Sequence, residues 1–208
     1  MYVVGLTGGI GSGKTAASDY LHSLGIDVVD ADVVARDVVA IGQPALAQIA
    51  QHFGTAVLLA DGSLNRSALR TIVFNNADER KVLETITHPA IRQEILQQLT
   101  ASVSPYTLLV SPLLFESGQY QFAHRNLVID ASEDLQRQRA ALRDGVSSEQ
   151  ISRIMAAQLT RTERNRRADD IVINPNSCND LKAYPFAIVY DKNQVIELRE
   201  GQTHTCEL

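Results

Sequence analysis

Eight consecutive residues near the start of the chain, Gly8-Gly9-Ile10-Gly11-Ser12-Gly13-Lys14-Thr15, satisfy the pattern G-x-x-x-x-G-K-[ST], which is that of a loop wrapped around nucleotide phosphates. The residue types explain the chemistry. Glycines let successive backbone N–H groups turn inward on phosphate oxygens with no side chain in the way. Lys14 brings a cation to the β- and γ-phosphates, and the Thr15 hydroxyl is placed to ligate Mg²⁺. A helix starting near Lys14 would add its positive end to the same anion. A glycine-rich turn followed by a chance Lys-Thr has the same letters, so the context of the motif matters.

Other residues have types suited to phosphoryl transfer. Asp32 follows a predicted strand, which would put it at the carboxyl end of a sheet beside the phosphates. A carboxylate there can take the proton from an attacking hydroxyl. The same position also suits a cap for a helix beginning at Val33. Asp30 is open between a role through metal-bound water and a solvated strand end. Glu116, after a buried strand, suits contact with Mg²⁺ through water or with substrate, or a plain loop charge. Arg139 and Arg143 lie four apart on a predicted helix and share a face, where guanidinium groups could stabilise spreading negative charge. Arg161, Arg164, Arg166 and Arg167 form a denser cluster, with Arg161 or Arg164 the better placed to reach a ligand and the rest solvated. His88, before Pro89, reads better as a capping or packing histidine than as a catalytic one.

These residues need a scaffold, and the hydrophobic pattern supplies one. Tyr2–Leu6 reads as a buried strand, Lys14–Leu24 as a helix stopped by Gly25, and Ile26–Asp30 as a second strand. Strand, glycine turn, helix and strand form a βαβ unit, hence a parallel sheet covered on both faces. The motif therefore sits between a strand and a helix, as a phosphate loop must. Helices are then predicted at 33–40, 43–53, 67–74, 78–87 and 89–100, with Pro89 in the first turn of the last, where its missing N–H costs nothing. Strands at Thr107–Val110, Asn126–Ile129 and Asp170–Ile173 alternate with helices at Asp134–Arg143 and Ser148–Leu159. Strands at 186–190 and 194–198 read as a hairpin. The fold class is α/β, a three-layer parallel-sheet P-loop NTPase fold. Its core covers 1–32 and 105–175, with a lid at about 136–167, a helical substrate-binding insertion at 33–104 and a C-terminal tail at 176–208.

Composition narrows the class. The 208 residues are 45% hydrophobic and 21% charged with a net charge of -5, which fits a globular core and argues against a nucleic-acid partner. Cys178 and Cys206 form neither a disulfide framework nor a zinc site. With no signal-like leader and no apolar run of about 18 residues, the expectation is a cytoplasmic protein, not bound to membrane, acting as a monomer or small homo-oligomer. No N-K-x-D segment for guanine recognition is present, and the chain is short for a motor or transporter ATPase.

The ordered segments GLTGGIGSGKT, Asp30-Ala31-Asp32 with Ala35-Arg36, Phe53-Gly54 and Asp61 to Arg66 resemble the dephospho-CoA kinase family. So do His88-Pro89, Pro112-Leu113-Leu114-Phe115-Glu116, Gln136 to Arg139, Arg143-Asp144-Gly145, Gln158 and Ala168-Asp169-Asp170. The likeness runs over about residues 1–175 and fades after Asn174, where Pro175 stands in place of the family's glycine-containing turn and final helix. It implies transfer of the γ-phosphate of ATP, with Mg²⁺, to the ribose 3′-hydroxyl of dephospho-CoA. It implies Asp32 as the base and Gly11, Ser12, Gly13, Lys14, Thr15 and Ala16 around the phosphates. Arg139 would lie near the nucleotide and Asn174 at the adenine. Arg36, His88, Glu116 and Arg143 fall in segments that would meet the acceptor.

Overall fold

The structure, a computed structural model, describes residues 1–174, 188–191 and 194–198. It divides into two compact units, one formed by 1–28 with 102–208 and the other by 29–101.

In the first unit, strand β1 (Val3–Thr7) runs between β3 (Thr107–Val110) and β4 (Arg125–Asp130), and β5 (Asp170–Ile173) adds beyond β4. All three pairings are parallel, with Leu6 opposite Val110 and Leu127, and Ile129 opposite Val172. β2 (Asp27–Asp30) completes the five-stranded order β2-β3-β1-β4-β5. β1 is buried residue after residue because a parallel sheet has no wet face. Helix α1 (Lys14–Ser23) lays Ala17 and Leu21 on Val4, Leu6, Leu108 and Leu127 in one cluster. Burying such aliphatic side chains contributes about 1.5–3 kcal/mol each.

The chain leaves the first unit within β2, after Val28, and returns at Ser102, and Asp27 fastens that return. Its carboxylate accepts hydrogen bonds from Ser102 Oγ (2.7 Å), Val103 N (3.1 Å) and Ser104 N (3.2 Å). Led by the Ser102 hydroxyl bond, these donors hold its pKa below the ordinary aspartate value.

The second unit is helical: α2 (Ala31–Asp37), α3 (Pro44–Phe53), α4 (Arg66–Asn75) and α5 (Ala77–Ala101). Before α4 the chain makes a tight turn in which Leu58 bridges Leu64, and Asn65 Oδ1 accepts from Ala68 N to cap the helix. One expectation is corrected here. The two helices predicted on either side of His88 are a single 25-residue helix with Pro89 inside it. An interior proline costs about 3 kcal/mol through its lost hydrogen bond and ring clash. The half after the proline buries Ile95 and Leu99 in the unit's core, worth about 3–6 kcal/mol together, and α5 packs on α2, α3 and α4. Continuing the helix therefore wins.

Beyond β4 come α6 (Glu133–Asp144), α7 (Ser148–Ala156) and α8 (Arg161–Arg166). The helix predicted to Leu159 ends at Ala156, and α8 is a separate turn that the arginine cluster had hidden. Strands β6 (Ile188–Asp191) and β7 (Gln194–Leu198) pair antiparallel, as expected of the tail. Pro175, Cys178 and Cys206 lie outside the described residues.

Candidate active site

The phosphate loop joins β1 to α1, as the sequence required, and its helix end is prepared for an anion. Asp30, Asn65, Ser132, Ser147 and Thr160 each place a side-chain oxygen on the first turn of α2, α4, α6, α7 and α8. At α1 the preceding residue is Gly13, with φ 99 and no side-chain cap, and no acidic residue stands in the first turn. A helix end of that kind suits an external phosphate. Thr15 is exposed there, while Lys14 and Ala16 are half-buried.

The glycines have a further reason to be glycine. A Cβ on Gly9 would stand 2.1 Å from Gln136 Oε1 and 3.0 Å from Arg164 Nη1. One on Gly11, whose φ is +72, would stand 2.4 Å from the Gln136 carbonyl. Sequence reasoning assigned these glycines to the approach of phosphate, whereas at Gly9 and Gly11 the neighbour that excludes a side chain is α6. The loop is packed onto the protein as well as open to a ligand.

Several side chains hold it there. Asn174, fully buried after β5, donates from Nδ2 to the Ser12 carbonyl (2.8 Å), and its own N–H bonds the Asp130 carbonyl (2.7 Å). The side chain of Asn174, a residue expected at the adenine through its backbone or side chain, is bonded to the phosphate loop. Arg139 points both terminal nitrogens at the Asn174 carbonyl, each at 3.4 Å. Gln158 accepts from Ile10 N (3.2 Å). Ser12 Oγ and Asn174 Oδ1 are buried polar atoms without a partner. Orphans of this kind are rare in a folded interior, and a ligand or water at the loop would satisfy these two.

Arg161 and Arg164 are set apart from the rest of their cluster. Arg161 makes a two-pronged ion pair with the buried Asp130 (2.6 Å from Nη2), and the pairing raises its pKa. Arg164 is 4% exposed and donates to the Leu159 carbonyl (2.7 Å), while burial lowers its pKa. Arg166 and Arg167 fork onto Glu163, whose pKa they pull down to about 2. With Glu133, Gln136, Arg137 and Gln158, the two inner arginines line a cavity of about 270 Å³. Neither Asp130 nor α8 was singled out from sequence, though Thr160 followed three residues later by Glu163 is a helix-start signal, and Thr160 Oγ1 does accept from Glu163 N.

Other expected residues are placed differently. Glu116 accepts the Leu159 N–H (2.8 Å) and so braces the segment before α8. Arg143 lies exposed with its guanidinium on Asp144 (2.7 Å) and is not brought to the loop. In the helical unit, the cap of α2 is Asp30, whose Oδ1 accepts from Asp32 N (2.8 Å) and Val33 N (3.2 Å). The capping alternative for Asp32 is thereby corrected: Asp32 lies inside the first turn with its side chain exposed. Arg36 is exposed in the last turn of α2, and His88 is exposed within α5, capping nothing at its start. Among the described residues no cluster of three or more His, Cys, Asp or Glu could hold a metal, and no helix is long and apolar enough to cross a membrane.

A parallel sheet, a phosphate loop entering an uncapped helix and the α6–α8 segment in contact with that loop define a P-loop kinase. The dephospho-CoA kinase family matches residues 2–180, and the chain belongs to that family. A dephospho-CoA kinase of Acinetobacter baylyi is 60% identical over 181 residues, covering 87% of this chain and 93% of that protein. One from Aeromonas hydrophila is 53% identical over 176 residues, covering 85% and 86%. Among solved structures, the dephospho-CoA kinase from Campylobacter jejuni superposes with a TM-score of 0.66 at 31% identity, over 87% of this chain and 92% of that one.

Proposed function

We propose that the protein transfers the γ-phosphate of ATP to the ribose 3′-hydroxyl of dephospho-CoA, giving CoA and ADP, the last step of CoA biosynthesis, in the cytoplasm. The observation that carries this is the family match along nearly the whole described chain together with an intact phosphate loop.

The loop amides and Lys14 neutralise the phosphates, a service worth most where water is thin. Mg²⁺ fits the donor set: with no carboxylate cage among the described residues, it would be held by the Thr15 hydroxyl, phosphate oxygens and water, as this cation commonly is. There it supplies charge neutralisation. Asp32 takes the proton from the attacking hydroxyl; its support is its matching position in the family and a carboxylate freed from capping by Asp30. Arg161, fixed by Asp130, and Arg139 act from the α6–α8 segment on the charge that spreads over the transferring group. Arg36 and His88, both exposed, serve the acceptor. Asn174 serves the nucleotide by fixing the Ser12 peptide.

The test is product identification. With ATP, Mg²⁺ and dephospho-CoA, mass spectrometry should find CoA in step with ADP, and little ADP should form without acceptor. ADP release that ignores dephospho-CoA, or a better rate with another nucleoside alcohol, would overturn the reading.

A further inference from the structure

The first half of the phosphate loop is held by a residue outside the motif. Ile10 N, in the middle of that half, donates to Gln158 Oε1 at 3.2 Å across 148 residues of sequence. Gln158 sits between α7 and α8 on a backbone that is itself clamped. The next residue, Leu159, has both backbone polar groups held: its N–H donates to Glu116 Oε1 (2.8 Å) and its carbonyl accepts from Arg164 Nη2 (2.7 Å). Arg164 is buried and also limits Gly9, where a Cβ would stand 3.0 Å from Nη1. The loop's second half is tethered separately, through Asn174 to the Ser12 carbonyl. Within the loop, Ser12 N closes on Gly9 O (3.0 Å).

We infer that Gln158 is a positioning residue for the nucleotide: its side-chain carbonyl sets the Ile10 peptide before ATP arrives and ties the loop to the α7–α8 segment. Fixing a backbone residue costs about 1–2 kcal/mol of conformational entropy. A tether that meets this cost in the free protein raises ligand affinity by preorganisation. The inference rests on the reading that the loop holds ATP.

Two variants of the full chain separate the acceptor atom from mere packing. Gln158→Met keeps the length of the side chain and removes its carbonyl; Gln158→Glu keeps an oxygen at similar reach. With Gln158→Met, the KM for ATP should rise about tenfold, the upper range for one lost hydrogen bond, while the KM for dephospho-CoA stays within about twofold. In the nucleotide-free protein, the Ile10 amide should exchange with solvent about tenfold faster by NMR, and Gln158→Glu should restore slow exchange. A purely structural glutamine would instead lower Tm and kcat and leave both KM values alone. A Gln158→Met protein with wild-type ATP KM and wild-type Ile10 exchange overturns the inference, as does a Gln158→Glu amide as fast as that of Gln158→Met. The exchange measurement needs no acceptor, so it decides the inference even where wild-type turnover of dephospho-CoA fails and the functional reading falls.

Discussion

The two units treat their candidate residues in opposite ways. In the first, the loop is hydrogen-bonded by Asn174 and Gln158 and closely flanked by the buried Gln136 and Arg164. In the helical unit, Asp32, Arg36 and His88 are exposed on helix surfaces. The binding of a polyphosphate rewards amides fixed in advance, because each is aimed at a charge present from the start. A base that must meet a hydroxyl of an arriving acceptor gains from being open. On the proposed mechanism, the difference would set the loop's prearranged grip on ATP against an open base and open acceptor-facing residues.

The largest test of that contrast is Lys14→Ala. It should lower kcat/KM by about 10³-fold or more, since one fixed donor to the transferring charge is worth about 10²–10³ and a cation more. ATP affinity, by isothermal titration, should fall with it. Next is Asp32→Asn, expected to cut kcat by about 10²-fold or more, the usual contribution of a positioned base, with ATP affinity within about twofold. An Asp32→Asn protein that binds ATP poorly, or turns over normally, would erase the distinction between the units.

Stability gives smaller and sharper tests. Pro89→Ala restores an interior helical N–H and should stabilise α5 by about 1–3 kcal/mol in urea unfolding, leaving the KM for ATP unchanged. A shift in that KM would mean the loop depends on the helical unit. Last, Asp27 joins the chain's exit and return. Its folded pKa is depressed, so its stabilising contribution is complete above the unfolded value of about 3.9 and is lost as pH falls through the folded value. Urea midpoints followed from pH 6 to pH 3 should drop less steeply for Asp27→Asn than for wild type. Parallel curves would remove Asp27 as the fastening.

Much of this was legible in the residues themselves. The phosphate loop, its strand and its helix could be read because glycine spacing and hydrophobic runs are local, and β3 and β5 fall where short apolar runs put them. Pro89 misled because a local rule about proline was outweighed by burial of Ile95 and Leu99, many residues away in their contacts. Asp30 capping α2 in place of Asp32, and Arg166 and Arg167 turning to Glu163, are contacts two to four residues long; tertiary structure alone decided that Gly9 and Gly11 answer to Gln136 and that Arg161 is held by Asp130. Chain sequence dictates which groups are available and their periodicity along one element. Which buried donor meets which acceptor depends on closing loops of 31 to 162 residues, as from Asp130 to Arg161 or Ser12 to Asn174, and only the packed fold brings such ends together.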